Sequence, residues 1–129
     1  MILVDTSVWV DVLRRSRPLD LVAVVDFDEI VTCLPVVQEV LQGFADERAY
    51  RLAREAMLAL PIVESPLAEA TILEAVALYR AARRAGRAVR SSVDCLIAAC
   101  AMRHDLEVLH RDRDYTSLAA VSSLRARAI

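Results

Sequence analysis

Four short runs of strand-forming residues, Met1–Val4, Glu29–Cys33, Pro61–Val63 and Leu106–Leu109, are separated from one another by segments of helical period. Strands that alternate with helices in this way imply a parallel sheet with helices on both faces. The expected architecture is α/β, with a central parallel sheet of about four to five strands flanked by helices. Asp5-Thr6-Ser7 can cap a helix from about Val8 to Arg15, which Arg17-Pro18 ends. A short helix is expected over Leu19–Val25, and Pro35 opens another that runs to about Gly43. Asp46–Leu60 has helical period, Ser65-Pro66 forms a cap and first-turn pair for a helix reaching Gly86, Ser91–His104 is helical, and a short helix follows Asp114.

At 129 residues the chain is expected to form a single domain, residues 1–129, with one core that needs no metal or disulfide staple. Its 57% hydrophobic content is high, yet charges interrupt every apolar run before the ~18 residues that a membrane span requires. Such a chain is expected to cover part of its surface with a partner. Met1-Ile2-Leu3-Val4-Asp5 lacks a basic n-region and a small-residue cleavage site, so the expected compartment is the cytoplasm. Cys33, Cys95 and Cys100 have neither even number nor C-x-x-C spacing, which leaves them as small core residues.

Several chemistries are excluded outright. All 16 basic residues are arginine, so a Schiff-base lysine and a P-loop lysine are impossible. Two glycines, Gly43 and Gly86, cannot build a dinucleotide-binding loop. The net charge of −2 argues against a general nucleic-acid binder.

In an open parallel sheet, ligands bind beyond the carboxyl ends of the strands, near the point where strand order switches. Asp5 falls just past the first strand, Glu39 on the helix after the second, and Asp112 just past the fourth. Asp94 lies in the first turn of the helix R-S-S-V-D-C-L-I-A-A-C-A-M, where Ser91 and Asp94 also have the spacing of a capping box. Two carboxylates ~4 Å apart repel by ~4 kcal/mol at an effective dielectric of about 20, several times what a helix cap contributes. A cation makes such a cluster sensible. Oxygen-only ligation selects a hard ion, Mg2+ with Mn2+ as an acceptable substitute.

The segments L-V-D-T-S-V-W-V-D-V-L, V-V-Q-E-V-L-Q-G, S-S-V-D-C-L-I-A-A and L-H-R-D-R-D-Y resemble, in order and spacing, the motifs of PIN-domain ribonucleases, specifically VapC-type toxins of toxin–antitoxin pairs. The resemblance implies a PIN-like fold and a Mg2+-dependent endoribonuclease toxin. Such an enzyme would cut structured RNA (tRNA, rRNA or mRNA) at exposed single-stranded sites. It would be a homodimer held inactive by a cognate VapB-like antitoxin. Asp5, Glu39, Asp94 and Asp112 fall on the family's catalytic and metal-binding acids, and Asp114 either assists as a ligand or positions the loop. Thr6 or Ser7 falls on the hydroxyl that follows the first acid, a substrate contact.

Other residues have readings of their own. Asp11 is expected on a solvated face, and His104 and His110 are expected to be structural. Arg80, Arg83, Arg84 and Arg87 share a helix side by spacing, either as a solvated face or, through Arg83 and Arg84 above all, as contacts to an RNA backbone. Trp9 and the region around Phe44 are candidates for core or partner contact. Two rival functions stand beside the nuclease. An aspartate-nucleophile phosphatase would use Asp5 but lacks a D-x-D acid at Ser7 and any lysine, and a catalytically idle PIN-fold binding module would be marked by a lost acid, which is not seen.

Overall fold

A computed structural model describes residues 1–129. The first strand, β1 (Ile2–Val4), is followed by α1 (Thr6–Val12), and β2 (Ile30–Cys33) by α2 (Leu34–Gln42) and α3 (Glu47–Leu58). Next come β3 (Ile62–Val63), α4 (Glu69–Arg84), α5 (Ser92–Arg103), β4 (Glu107–His110), α6 (Arg113–Ala120) and β5 (Arg125–Ala128). All five strands pair in parallel in the order β3-β2-β1-β4-β5. The chain thus builds outward from β1 on one side and resumes on the other with β4, so the switch point lies between β1 and β4. Asp5 N donates to Leu109 O at 2.9 Å and carries the β1–β4 ladder to the first acid.

Strands buried on both faces need unbroken apolar sequence. Accordingly, Leu3, Val4, Val108 and Leu109 are fully buried and Val31 nearly so. The helix α5 is buried almost all round, with Ile97, Ala98, Ala99, Cys100 and Ala101 inaccessible. Its small side chains let it lie close against α4 and β4 on different sides. Cys33, Cys95 and Cys100 are free and buried, as core residues should be. Trp9 is also a core residue at 7% exposure, while its neighbour Val10 is 58% exposed, so the outward residue of the first helix is Val10 rather than Trp9. No helix is long and apolar enough to cross a membrane.

Several boundaries differ from expectation for local reasons. The first helix begins at Thr6 because Asp5 is its N-cap, its side chain accepting from Ser7 N. Leu19–Val25 holds only a single 3-10 turn, Leu21–Ala23, with a second at Phe27–Glu29. The pair Ser65-Pro66 does not start α4. The Glu64 carboxylate does so, accepting from Ala68 N at 3.0 Å and from the buried Thr71 hydroxyl at 2.5 Å. Strand β5, R-A-R-A, alternates only through alanine, a poor strand former; Leu124 is buried just ahead of it, and Arg127 pairs with Glu107 of β4 at 3.1 Å.

Helix α4 ends in a Schellman motif, with Gly86 N donating to Arg83 O and Arg87 N to Ala82 O. Gly86 has φ +71°, and a Cβ there would meet nothing within 4 Å. Gly86→Ala is therefore a test of backbone strain alone. It should lower unfolding free energy by about 1 kcal/mol, with the urea midpoint falling and the slope unchanged.

Candidate active site at the carboxyl edge of the sheet

The switch point places β1 and β4 side by side, and their carboxyl ends deliver Asp5 and Asp112 to one edge. Asp5 is 2% exposed and held on both oxygens. Oδ2 accepts from Ser7 N at 2.9 Å and Ser7 Oγ at 2.5 Å, and Oδ1 accepts from the Tyr115 hydroxyl at 2.5 Å. The same Tyr115 hydroxyl lies 3.4 Å from Asp94 Oδ1, so one buried phenol joins the first and third acids. Thr6 Oγ1 donates to Glu39 Oε1 at 2.9 Å, which ties the half-buried α2 acid to the residue beside Asp5. The Thr6 and Ser7 hydroxyls, expected as substrate contacts, are both engaged with carboxylates of the site.

Asp112 caps α6, its Oδ1 accepting from Asp114 N at 2.9 Å. Asp114 reaches back to α5, where its Oδ2 accepts from Arg90 N at 3.0 Å and Ser91 N at 3.1 Å. This corrects the capping-box reading. Ser91 occupies the N-cap position of α5 but its side chain makes no capping bond. The donors before α5 are satisfied from outside by Asp114, and Asp94 is left free to face the acids.

One oxygen from each of Asp94, Asp112 and Asp114 lies within 4.8 Å of the others. Two buried oxygens in this cluster, Asp94 Oδ2 and Asp114 Oδ1, have no hydrogen-bond donor when both carboxyls are ionised. A buried carboxylate oxygen without a donor is costly, and the nearby Asp112 carboxylate compounds the cost by repulsion. Burial first, then a hydrogen bond shared with the Asp114 carboxyl, then the charges of Asp5, Asp112 and Asp114 push Asp94 up to about 9. Hard oxygen donors this close, two of them unpartnered, fit a divalent cation.

The structure thus brings Asp94, Asp112 and Asp114 together directly, Asp5 through Tyr115, and Glu39 one step further out through Thr6. Asp11 lies outside the cluster and pairs with Arg14 and Arg111. His110 Nδ1 accepts from Asp112 N at 3.3 Å, and burial lowers its pKa, so the imidazole is a neutral support for the loop. His104 pairs with Glu64 at 3.0 Å, a partner that no local spacing reveals. Arg80, Arg83 and Arg84 line one open concavity with no hydrophobic residue in its lining, whereas Arg87 lies past the end of α4 and does not continue the stripe.

Sequence reasoning missed Tyr115, which is fully buried and whose hydroxyl bonds an acid 110 positions earlier. The only local signal was an aromatic residue three positions after Asp112, on the helix that Asp112 caps.

The model of the PIN domain matches residues 2–121. The chain belongs to the PIN domain family. Within it, the chain is 38% identical to Ribonuclease VapC11 of Mycobacterium tuberculosis over 132 aligned residues, which cover 98% of this chain and 97% of the relative. The PIN fold is matched at TM-score 0.77 by the DNA-bound VapBC of Salmonella typhimurium, with 15% identity and coverage of 98% and 96%. It is matched at TM-score 0.72 by M. tuberculosis VapC20, a sarcin-ricin loop cleaving toxin, with 18% identity and coverage of 97% and 99%.

Two predictions follow from this PIN-domain edge. The Asp94 proton is retained in the folded chain to about pH 9, whereas in the unfolded chain it leaves near the ordinary carboxyl value of about 4. Between those limits the unfolded state binds fewer protons, so in chelator the stability supplied by this group falls as pH rises. Asp94→Asn should flatten the pH dependence over that window in urea titrations and gain relative to wild type at pH 8. Asp114→Ala, by contrast, should cost about 1–3 kcal/mol at pH 7 in chelator, because two N–H groups before α5 lose their acceptor.

Proposed function

We propose that this PIN domain is the endoribonuclease toxin of a toxin–antitoxin pair. It hydrolyses phosphodiester bonds of structured RNA (tRNA, rRNA or mRNA) at exposed single-stranded sites. The observation that carries this reading is the cluster of Asp94, Asp112 and Asp114 with two unpartnered buried oxygens. Full-length identity of 38% to a ribonuclease supports it. RNA bases are most accessible where unpaired, which also exposes the intervening phosphates.

Asp94, Asp112 and Asp114 are the residues that would hold Mg2+, or Mn2+ in its place, with Asp5 and Glu39 completing the acidic edge. When bound, such an ion lowers the pKa of a water and stabilises charge gathering on a phosphodiester. Ser7 and Tyr115 fix the Asp5 carboxylate on both oxygens, which suits a ligand of set geometry better than an attacking nucleophile. Thr6 orients Glu39, and the neutral His110 holds the Asp112 backbone. The guanidiniums of Arg83 and Arg84, exposed on α4, track the RNA backbone. A cognate VapB-like antitoxin restrains the enzyme in the cytoplasm. Its homodimer covers part of the exposed apolar set Ile72, Leu73, Val76 and Tyr79 on α4.

Cleavage of total RNA should require Mg2+ or Mn2+ and vanish in EDTA; full cleavage with chelator present would overturn the metal reading. Asp94→Asn should lose at least ~10–100-fold of activity, the loss seen when even supporting residues of a metal site are removed. Mn2+ should raise the wild-type melting temperature by binding the folded state, and raise that of Asp94→Asn much less. Sedimentation should show a dimer at micromolar concentration, and a stable monomer would remove that claim.

A further inference from the structure

At the rim of the acid cluster stands a cation that no motif assigns. Arg90 Nη2 is 3.9 Å from Asp112 Oδ1 and its Nε is 3.9 Å from Asp114 Oδ1, and no other basic side chain is within ion-pair distance of Asp5, Glu39, Asp94, Asp112 or Asp114. Both separations exceed hydrogen-bonding range, so the N–H donors of the fork are committed to neither carboxylate. The Arg90 side chain is 62% exposed, against 29% for Asp112 and 2% for Asp114, which puts the guanidinium on the solvent side of both acids. Its root is fixed. The Arg90 and Ser91 N–H groups both donate to Asp114 Oδ2, so the arm is anchored by its backbone while its head stays free.

We propose that Arg90 is a substrate-binding residue, taking the RNA phosphodiester at the mouth of the acid cluster; this rests on the nuclease reading above. A phosphodiester carries a negative charge and must approach a group of carboxylates, so a fixed positive charge at the entrance offsets a repulsion that the acids impose whatever else they bind. Guanidinium is the side chain suited to that place, because its planar fork can bond two phosphate oxygens and stays charged at every accessible pH. The anchoring decides which phosphate it meets. An arm rooted on Asp114 can serve only the phosphate lying over the cluster, whereas Arg83 and Arg84 on α4 serve the backbone elsewhere.

The same position makes Arg90 a competitor for any cation entering the cluster, and this second consequence separates a binding role from mere charge balance. In full-length Arg90→Ala, kcat/KM for a labelled mixed-sequence single-stranded RNA in Mn2+ should fall by at least about tenfold, chiefly through KM. The slope of log kcat/KM against log salt should flatten by about 0.7, one contact to a single strand. Arg90→Lys should keep the slope and still bind RNA more weakly, since a point charge replaces a fork. Without RNA, calorimetric Mn2+ affinity of Arg90→Ala should rise by about threefold or more, because a neighbouring positive charge is gone. The melting temperature should hold, as alanine keeps both N–H groups that Asp114 accepts. Tighter Mn2+ binding with KM and salt slope unchanged would overturn the proposal and reduce Arg90 to a counter-charge. Wild-type protein that cuts no RNA in Mn2+ would instead refute the nuclease reading itself.

Discussion

The parallel pairing of β1 with β4 is the constraint on which the site depends. Val4 stands opposite Leu109 in register, and one further backbone bond, from Asp5 N to Leu109 O, extends the ladder past the end of the strand. A slip of one residue would turn every side chain of β1 to the opposite face and carry Asp5 away from Tyr115. Because Leu3, Val4, Val108 and Leu109 are all fully buried, such a slip would expose or strain the centre of the core. Hydrophobic register at the middle of the sheet therefore sets carboxylate geometry at its edge.

Beyond the strands, helix termini do the remaining placement. Asp5 caps α1, Asp112 caps α6, and Asp114 takes the two N–H groups ahead of α5. Asp5 and Asp114 each give one oxygen to a structural bond and leave the other to the linking phenol or without a donor in the cluster. Asp94 differs, since it caps nothing and accepts from no backbone N–H. Fold stability and the assembly of charge are thus joined in Asp5, Asp112 and Asp114 and separated in Asp94.

How far the sequence could be read follows from the same division. β1, β2 and β4 were visible because strands covered on both sides need continuous apolar residues, and the acids were visible because each follows a strand or opens a helix. What stayed hidden depends on contacts between distant segments. R-A-R-A alternates only through alanine, too weak a strand former to stand out, and its pairing comes from the neighbouring β4. Ser65-Pro66 looks like a helix start, yet the charge that starts α4 is Glu64, which the Thr71 hydroxyl and the Ala68 N–H, helped by His104, hold low, at about 2. Ser91 has the spacing of a capping residue, but an acid 23 positions later does its work. Tyr115 and Arg90 carry no local mark of the carboxylates that they meet.

The two outer strands of the sheet bear on how so apolar a chain meets other copies of itself. Open sheet edges invite another chain to add a strand, and short or charged edges discourage it. Here β3 offers only two residues, and β5 offers two arginines in four, one of them paired to Glu107 and the other to Asp105. Neither edge is a template for amyloid-like growth. Association is thereby steered away from backbone pairing and onto side chains of the helices, where shape and charge can distinguish one companion from another.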